Sequence, residues 1–234
     1  MIAPSFPPLM SGQALAGQAD PFEQACQQAT LGCDAGLILH HVTADRLRAA
    51  IVFAPELALR QALAMLPACG LGLQNALGAL APPEVSLHLE WSGGLRLNGG
   101  HCGSLRCAAD TCDADAVPNW LVVGFDLALL PTERETGHHP EETTLFAEGC
   151  GEIGAQALLE SWARHTLHWI TRWEAEGNAP LHAAWRGLLY RVGEDTRWQD
   201  QKGHFLGVDE NFGMLLRQGP DTRLVPLTTL LETD

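Results

Sequence analysis

Glu90-Trp91-Ser92-Gly93-Gly94-Leu95-Arg96-Leu97-Asn98-Gly99 is the stretch on which the fold turns. Val85-Ser86-Leu87-His88-Leu89 leads into it with apolar and polar residues in alternation, the period of a strand with one buried face. Ser92-Gly93-Gly94 then reverses the chain into Leu95-Arg96-Leu97, and Asn98-Gly99-Gly100 reverses it again toward residues 102–107. The segment therefore reads as strand, tight turn, strand, tight turn.

Working outward, residues 120–127 (Trp-Leu-Val-Val-Gly-Phe-Asp-Leu) are almost wholly apolar and predict a strand at the sheet centre. Residues 36–41 and 47–53 predict a short hairpin with its polar turn near Asp45. Asp20-Pro21 reads as an N-cap with proline at the first helical position, opening a helix to about Ala29. Leu59, Leu63 and Leu66 have helical spacing, so a helix is expected over 57–66 with Pro67 as its stop, followed by another over 71–80. A polar segment, 133–144, carries His138-His139-Pro140 and is expected to be a mobile, solvated loop. A long helix is predicted over 155–176, with Leu158, Trp162, Trp169 and Trp173 on one stripe and Gly177-Asn178 closing it. Beyond residue 188, short strands at 204–209, 213–217 and 222–227 suit a small antiparallel barrel with Phe205, Met214 and Leu216 inside. Residues 1–19, rich in Pro, Gly and Ser, are expected to be an extended arm.

A chain of 234 residues, 46% hydrophobic, is long enough for one large domain and a small appendage. No apolar run approaches the roughly 18 residues of a membrane span, and the start has neither a basic nor an apolar signal region, which predicts a cytoplasmic protein with no membrane partner. The seven cysteines form an odd set without a CxxC pair and read as reduced thiols. Cys102, Cys107 and Cys112 recur at a spacing that suits no zinc site, so no metal site is expected. Net charge is -14, and Lys202 is the one lysine among 14 basic residues, which speaks against a nucleic-acid partner.

This order of elements is similar to that of the biotin/lipoate protein ligases. Residues 90–99 resemble the family's Lys-Trp-Pro-Asn-Asp-Leu strand and turn. Trp173-Glu174-Ala175-Glu176-Gly177, Trp185, Phe205-Leu206-Gly207-Val208-Asp209-Glu210 and Gly213-Met214-Leu215-Leu216 resemble its passage into a C-terminal domain. The resemblance spans roughly residues 20–234. It implies an α+β fold, a mixed β-sheet with helices packed on it (class II synthetase/biotin protein ligase-like), over 20–188. A small SH3-like β-barrel domain over 189–234 would follow.

It also implies a chemistry. Joining a carboxylic acid to AMP requires groups that offset charge on the phosphoryl oxygens in the transition state. The family covers its acyl-adenylate with a Gly/Arg-rich loop between the first two strands, where this chain has only Val42-Thr43-Ala44-Asp45-Arg46. The family's lysine past the second turn falls here at His101 or Cys102, its metal-holding Asn-Asp at Gly93-Gly94, and an asparagine after the core-strand glycine, Gly124, at Asp126. At ~1.4 kcal/mol per tenfold in rate, losing two such contacts would cost orders of magnitude.

The leading expectation is a ligase-like protein that binds a small acyl or biotin-like ligand, or an acyl-carrying protein, without efficient adenylation. Its cleft would lie between the first hairpin and the glycine turns, walled by Trp91, with Gly93, Gly94, Gly99, Gly100, Gly103 and Gly124 permitting close backbone approach and Arg46, Arg48 and Asp126 beside it. One alternative is a cysteine-dependent acyl transferase with Cys102 as nucleophile; adjacent strand residues face opposite ways, so His101 is badly placed to activate it and His88 or His40 would have to. Another is a working ligase in which Arg46, Arg48 and Arg106 replace the lost loop. That reading needs ATP with Mg²⁺, biotin or lipoate, and a biotinyl-acceptor protein; the residues by themselves fix no cofactor.

Overall fold

The computed structural model describes residues 3–131 and 141–232. His138, His139 and most of the polar loop expected around them lie outside the described residues.

A seven-stranded sheet organises the larger part of the chain. Its strands are β1 (Ser11–Ala14), β2 (Leu37–Val42), β3 (Arg46–Phe53), β4 (Leu87–Leu89), β5 (Gly94–Leu97), β6 (Gly100–Ala109) and β7 (Leu121–Ala128). They lie in the order β1-β2-β3-β7-β6-β5-β4, so the apolar strand β7 is central, as its composition predicts. The β1–β2 pair is parallel and every other pair antiparallel, which makes the sheet mixed.

Alternation along β3 separates two faces. Ala50 and Val52 point to one side, where Phe22, Ala25 and Ala29 of helix α1 (Pro21–Thr30) cover them together with Leu39, Ala108 and Val122. Leu47, Ala49 and Ile51 point to the other, into the main core. That core is covered by α3 (Met65–Leu80), α4 (Ala155–Glu176) and α5 (Asn178–Leu188), after a short turn of helix, α2 (Leu59–Ala62).

Pro67 does not stop a helix, as its position suggested. It sits in the first turn of α3, where an amide hydrogen has no helical partner to lose. The helical run Leu59–Leu80 also corrects the expectation that no segment reaches membrane-spanning length. Its mean hydropathy is 1.4, and 72% of that window is buried inside the fold. Close packing explains the composition: Trp162 donates its Nε1–H to the Cys69 carbonyl at 3.1 Å, and a Cβ on Gly72 would stand 2.2 Å from Thr166 Oγ1 and 3.0 Å from Thr166 Cα.

The C-terminal sheet runs β11-β10-β9-β8, all antiparallel, from β8 (Asp195–Trp198), β9 (Gln201–Val208), β10 (Met214–Gln218) and β11 (Asp221–Val225). Phe205, Met214 and Leu216 are buried beneath it, as expected. Trp91 fastens this sheet to the larger one. Its Nε1–H donates to the Phe212 carbonyl at 2.8 Å, its ring meets Trp198 edge-on at 5.1 Å, and it is only 4% exposed.

Two measurements test this packing. Gly72→Val should destabilise the protein by about 1–3 kcal/mol in urea denaturation, because the side chain forces α3 and α4 apart. Trp91→Phe keeps the ring but strands a buried carbonyl, at a cost of roughly 1–3 kcal/mol; faster proteolytic release of residues beyond 190 should accompany it.

Candidate functional site

The α1-facing side of the sheet carries a polar row. His41 on β2 stands opposite Arg48 on β3, Arg48 opposite Asp126 on β7, and Asp126 opposite Ser104 on β6. Residues paired in this way project to the same face and touch laterally. In the next row Ala50 faces Gly124, and Gly124 faces Arg106.

Every guanidinium in this neighbourhood is met by a carboxylate. Arg46 Nη1 lies 2.7 Å from one Asp126 oxygen, and Arg48 Nε lies 3.4 Å from the other. Arg106 Nη1 donates to Asp20 at 2.6 Å, while its Nε and Nη2 grip both oxygens of Glu232 at 2.7 Å. These partners hold the Arg106 pKa above its ordinary value, Glu232 contributing most and burial opposing. Three cations thus face Asp126, Asp20 and Glu232, with Asp45 also close enough to Arg46 and Arg48 to feel their charge, so the cluster carries no excess of positive charge among the described residues. His41 Nδ1 and Arg48 Nε are buried and have no hydrogen-bond partner among the described residues.

Asp20 has a second task, accepting from Phe22 N–H at 2.9 Å as the N-cap of α1. That cap sets the Phe22 ring over the sheet: a Cβ on Gly124 would be 2.9 Å from Phe22 Cδ2. The Arg106 guanidinium stacks on the same ring at 4.2 Å from its centroid. What remains between Asp20, Phe22, Arg48, Ser104, Arg106 and Asp126 is a cavity of about 70 Å³.

The expected glycines serve the protein's own packing. Gly93 has φ +99°, and a Cβ there would meet the Leu105 carbonyl at 2.6 Å, so glycine is required where the turn from β4 into β5 passes beside β6. Space at Gly94 is taken by the Glu90 carboxylate, at Gly100 by Thr143, at Gly103 by the Asp126 carbonyl, and at Gly124 by Phe22. Gly99 is open, with φ +92° in the second turn. Trp91, expected to wall a cleft, instead faces the C-terminal sheet, because its indole N–H finds the Phe212 carbonyl there.

Cys102 is a correction too. It is 2% exposed within the main core, its thiol donates to the Leu95 carbonyl at 3.4 Å, and burial pushes its pKa to about 12, so it is neither ionised nor reachable at neutral pH. His101 is half-buried and engaged through its backbone, its N–H donating to the Glu141 carbonyl at 2.7 Å and its carbonyl accepting from Thr143 N–H at 2.8 Å. His40 stacks near Phe6 and His88 near Tyr190; burial, with His41 beside it, lowers the His40 pKa.

Of the residues singled out in the sequence, the structure brings together Arg46, Arg48, Arg106, Asp126 and Gly124, and leaves Trp91, Cys102 and Gly93 elsewhere. Asp20, His41, Ser104 and Glu232 join the cluster without having been expected. Strand alternation carries a signal for His41, two residues from Leu39, and for Ser104, four from Ala108, since both apolar residues face α1. For Glu232, 126 residues from Arg106, no local signal exists.

Residues 6–187 match the model of the biotin/lipoate A/B protein ligase family, and residues 192–233 match a domain of unknown function, DUF4444. No curated protein matches the chain. A crystal structure of a biotin protein ligase-like protein of unknown function from Silicibacter sp. TM1040 is 55% identical over 99% of this chain and 100% of its own, with a TM-score of 0.94. Biotin protein ligase from Aquifex aeolicus superposes in its apo form with a TM-score of 0.74 at 14% identity, over 93% and 96% of the two chains. Its complex with biotin and ATP gives 0.70 at 13% identity, over 92% and 95%. These two likenesses establish the fold alone. On the family model, which spans the whole seven-stranded sheet and the helices around it, this chain belongs to the biotin/lipoate A/B protein ligase family.

Proposed function

We propose that this chain is a non-adenylating member of its family, one that holds the carboxylate of a small acyl or biotin-like acid without activating it with ATP. The observation that carries the reading is a cluster without excess positive charge: Arg46, Arg48 and Arg106 are all matched by carboxylates of the chain itself. A nucleotide brings several negative charges, and their stabilisation needs uncommitted cations in a site kept from water.

Mg²⁺-ATP does not fit the residues present. Both Asp126 oxygens are committed to arginines, and no group of three or more His, Cys, Asp or Glu suited to a metal occurs among the described residues. The chain's one lysine, Lys202, lies on β9. Drug-sized ligands occupy pockets of roughly 300–1,000 Å³, whereas this cavity of about 70 Å³ has room for a ligand's carboxylate and not for its body. Space of that size suits a carboxylate group and little more. Arg48, Arg106 and Ser104 are the donors that would hold it.

Pyrophosphate release with ATP and biotin, lipoate or octanoate should stay at background, while calorimetry without nucleotide reports binding of an acid. Recovery of a protein-bound acyl-adenylate would sink the proposal. Iodoacetamide or an octanoyl thioester should modify exposed Cys112 in the native protein and reach Cys102 only after denaturation; an octanoyl adduct on native Cys102 would bring acyl transfer back.

A further inference from the structure

We propose that Glu232 is a built-in occupant of a carboxylate site on Arg106, and that a short monocarboxylic acid binds by displacing it. This rests on the reading of the cluster as an acid site. Arg106 Nε and Nη2 hold the two Glu232 oxygens in a fork, the geometry in which a guanidinium recognises a free carboxylate.

The segment that delivers Glu232 ends in a single short 3-10 turn, where Leu231 N–H donates to the Thr228 carbonyl and Cys107 Sγ–H to the Leu230 carbonyl. The Glu232 N–H donates to the Cys107 carbonyl at 2.9 Å, Leu231 forms an isolated parallel bridge with Cys107, and the Glu232 side chain is 45% exposed. Few backbone bonds and partial exposure mark a segment that opens locally without unfolding the rest. Arg106 stays in place when it does, because Asp20 and the Phe22 ring still hold it.

Charge then defines the ligand. With Glu232 seated, Arg46, Arg48 and Arg106 face Asp126, Asp20 and Glu232, and the cluster has no excess of positive charge. With Glu232 withdrawn, the Nε and Nη2 donors of Arg106 are unmatched, while Nη1 stays with Asp20, so the site gains one positive charge over its seated state. One carboxylate cancels it; the phosphates of a nucleotide would leave an excess of negative charge in a partly buried place. The cavity of about 70 Å³ next to Arg106, enlarged by the vacated Glu232 side chain, limits the ligand to a short chain. Ser104 stands on the same wall, and His41 on the same row offers a buried Nδ1 without a hydrogen-bond partner among the described residues, beside the Arg48–Asp126 ion pair.

Calorimetry with butyrate, octanoate and biotin at matched ionic strength, on the parent chain and on Glu232→Gln, tests this, together with hydrogen exchange over residues 228–232. Glu232→Gln should bind butyrate about tenfold more tightly or better, as expected if the parent site is open roughly a tenth of the time, and butyrate should accelerate exchange of the parent's 228–232 segment. Equal butyrate affinity in the two proteins, or exchange unchanged at saturating butyrate, overturns displacement and leaves the acid site standing. Failure of all three acids to bind either protein overturns both readings.

Discussion

A chain with 28 acidic and 14 basic residues cannot leave cations idle on a half-buried sheet face, and the fold of the larger sheet turns on how they are shared. Arg48 and Asp126 face each other across the central β3–β7 pair, and Arg46 reaches the same carboxylate from the strand end. Arg106 takes the neighbouring strand, where it joins the N-cap of α1 to the segment that follows the C-terminal sheet. A partly buried guanidinium without an anion would be costly, so these pairings help to set where α1 begins and draw residues 230–232 toward the sheet. The same pairings leave the cluster with no excess positive charge for a nucleotide.

The opposite face is governed by shape. Gly70 and Gly72 on α3 allow Leu105, Trp185 and Thr166 to approach where any side chain would collide. Trp162 fills the space between α3 and the sheet, against Phe125 at 4.9 Å. The fold so packed superposes on ligases at identities of 13–14%.

Much of this was legible in the sequence. Apolar β7 declared itself central, the Asp20-Pro21 cap located α1, and the tryptophan stripe located α4 with its bounds intact. Two short strands were not: β1 is exposed at every residue, β8 has no apolar alternation, and neither carries a periodic signal. α5 escaped notice because Gly177, with φ +73°, ends α4 and opens the next helix in one residue. The site was half legible. Arg46, Arg48, Arg106 and Asp126 were visible as charged residues in or beside strands, whereas their pairing, the placement of Phe22 over Gly124 and the arrival of Glu232 depend on strand register and long-range closure.

The short strand β1 has one more consequence. By lying parallel to β2 it consumes the hydrogen-bonding border that a neighbouring molecule would need in order to extend the sheet, and it presents Ser-Gly-Gln-Ala, small and polar, in its stead. Phe6 folds over Gly12 on the same border, and at the far side β4 is three residues long with Leu89 bridged to Leu189. Strands so short, one polar and the other bridged at its end, are poor templates for continuing the sheet into a second molecule.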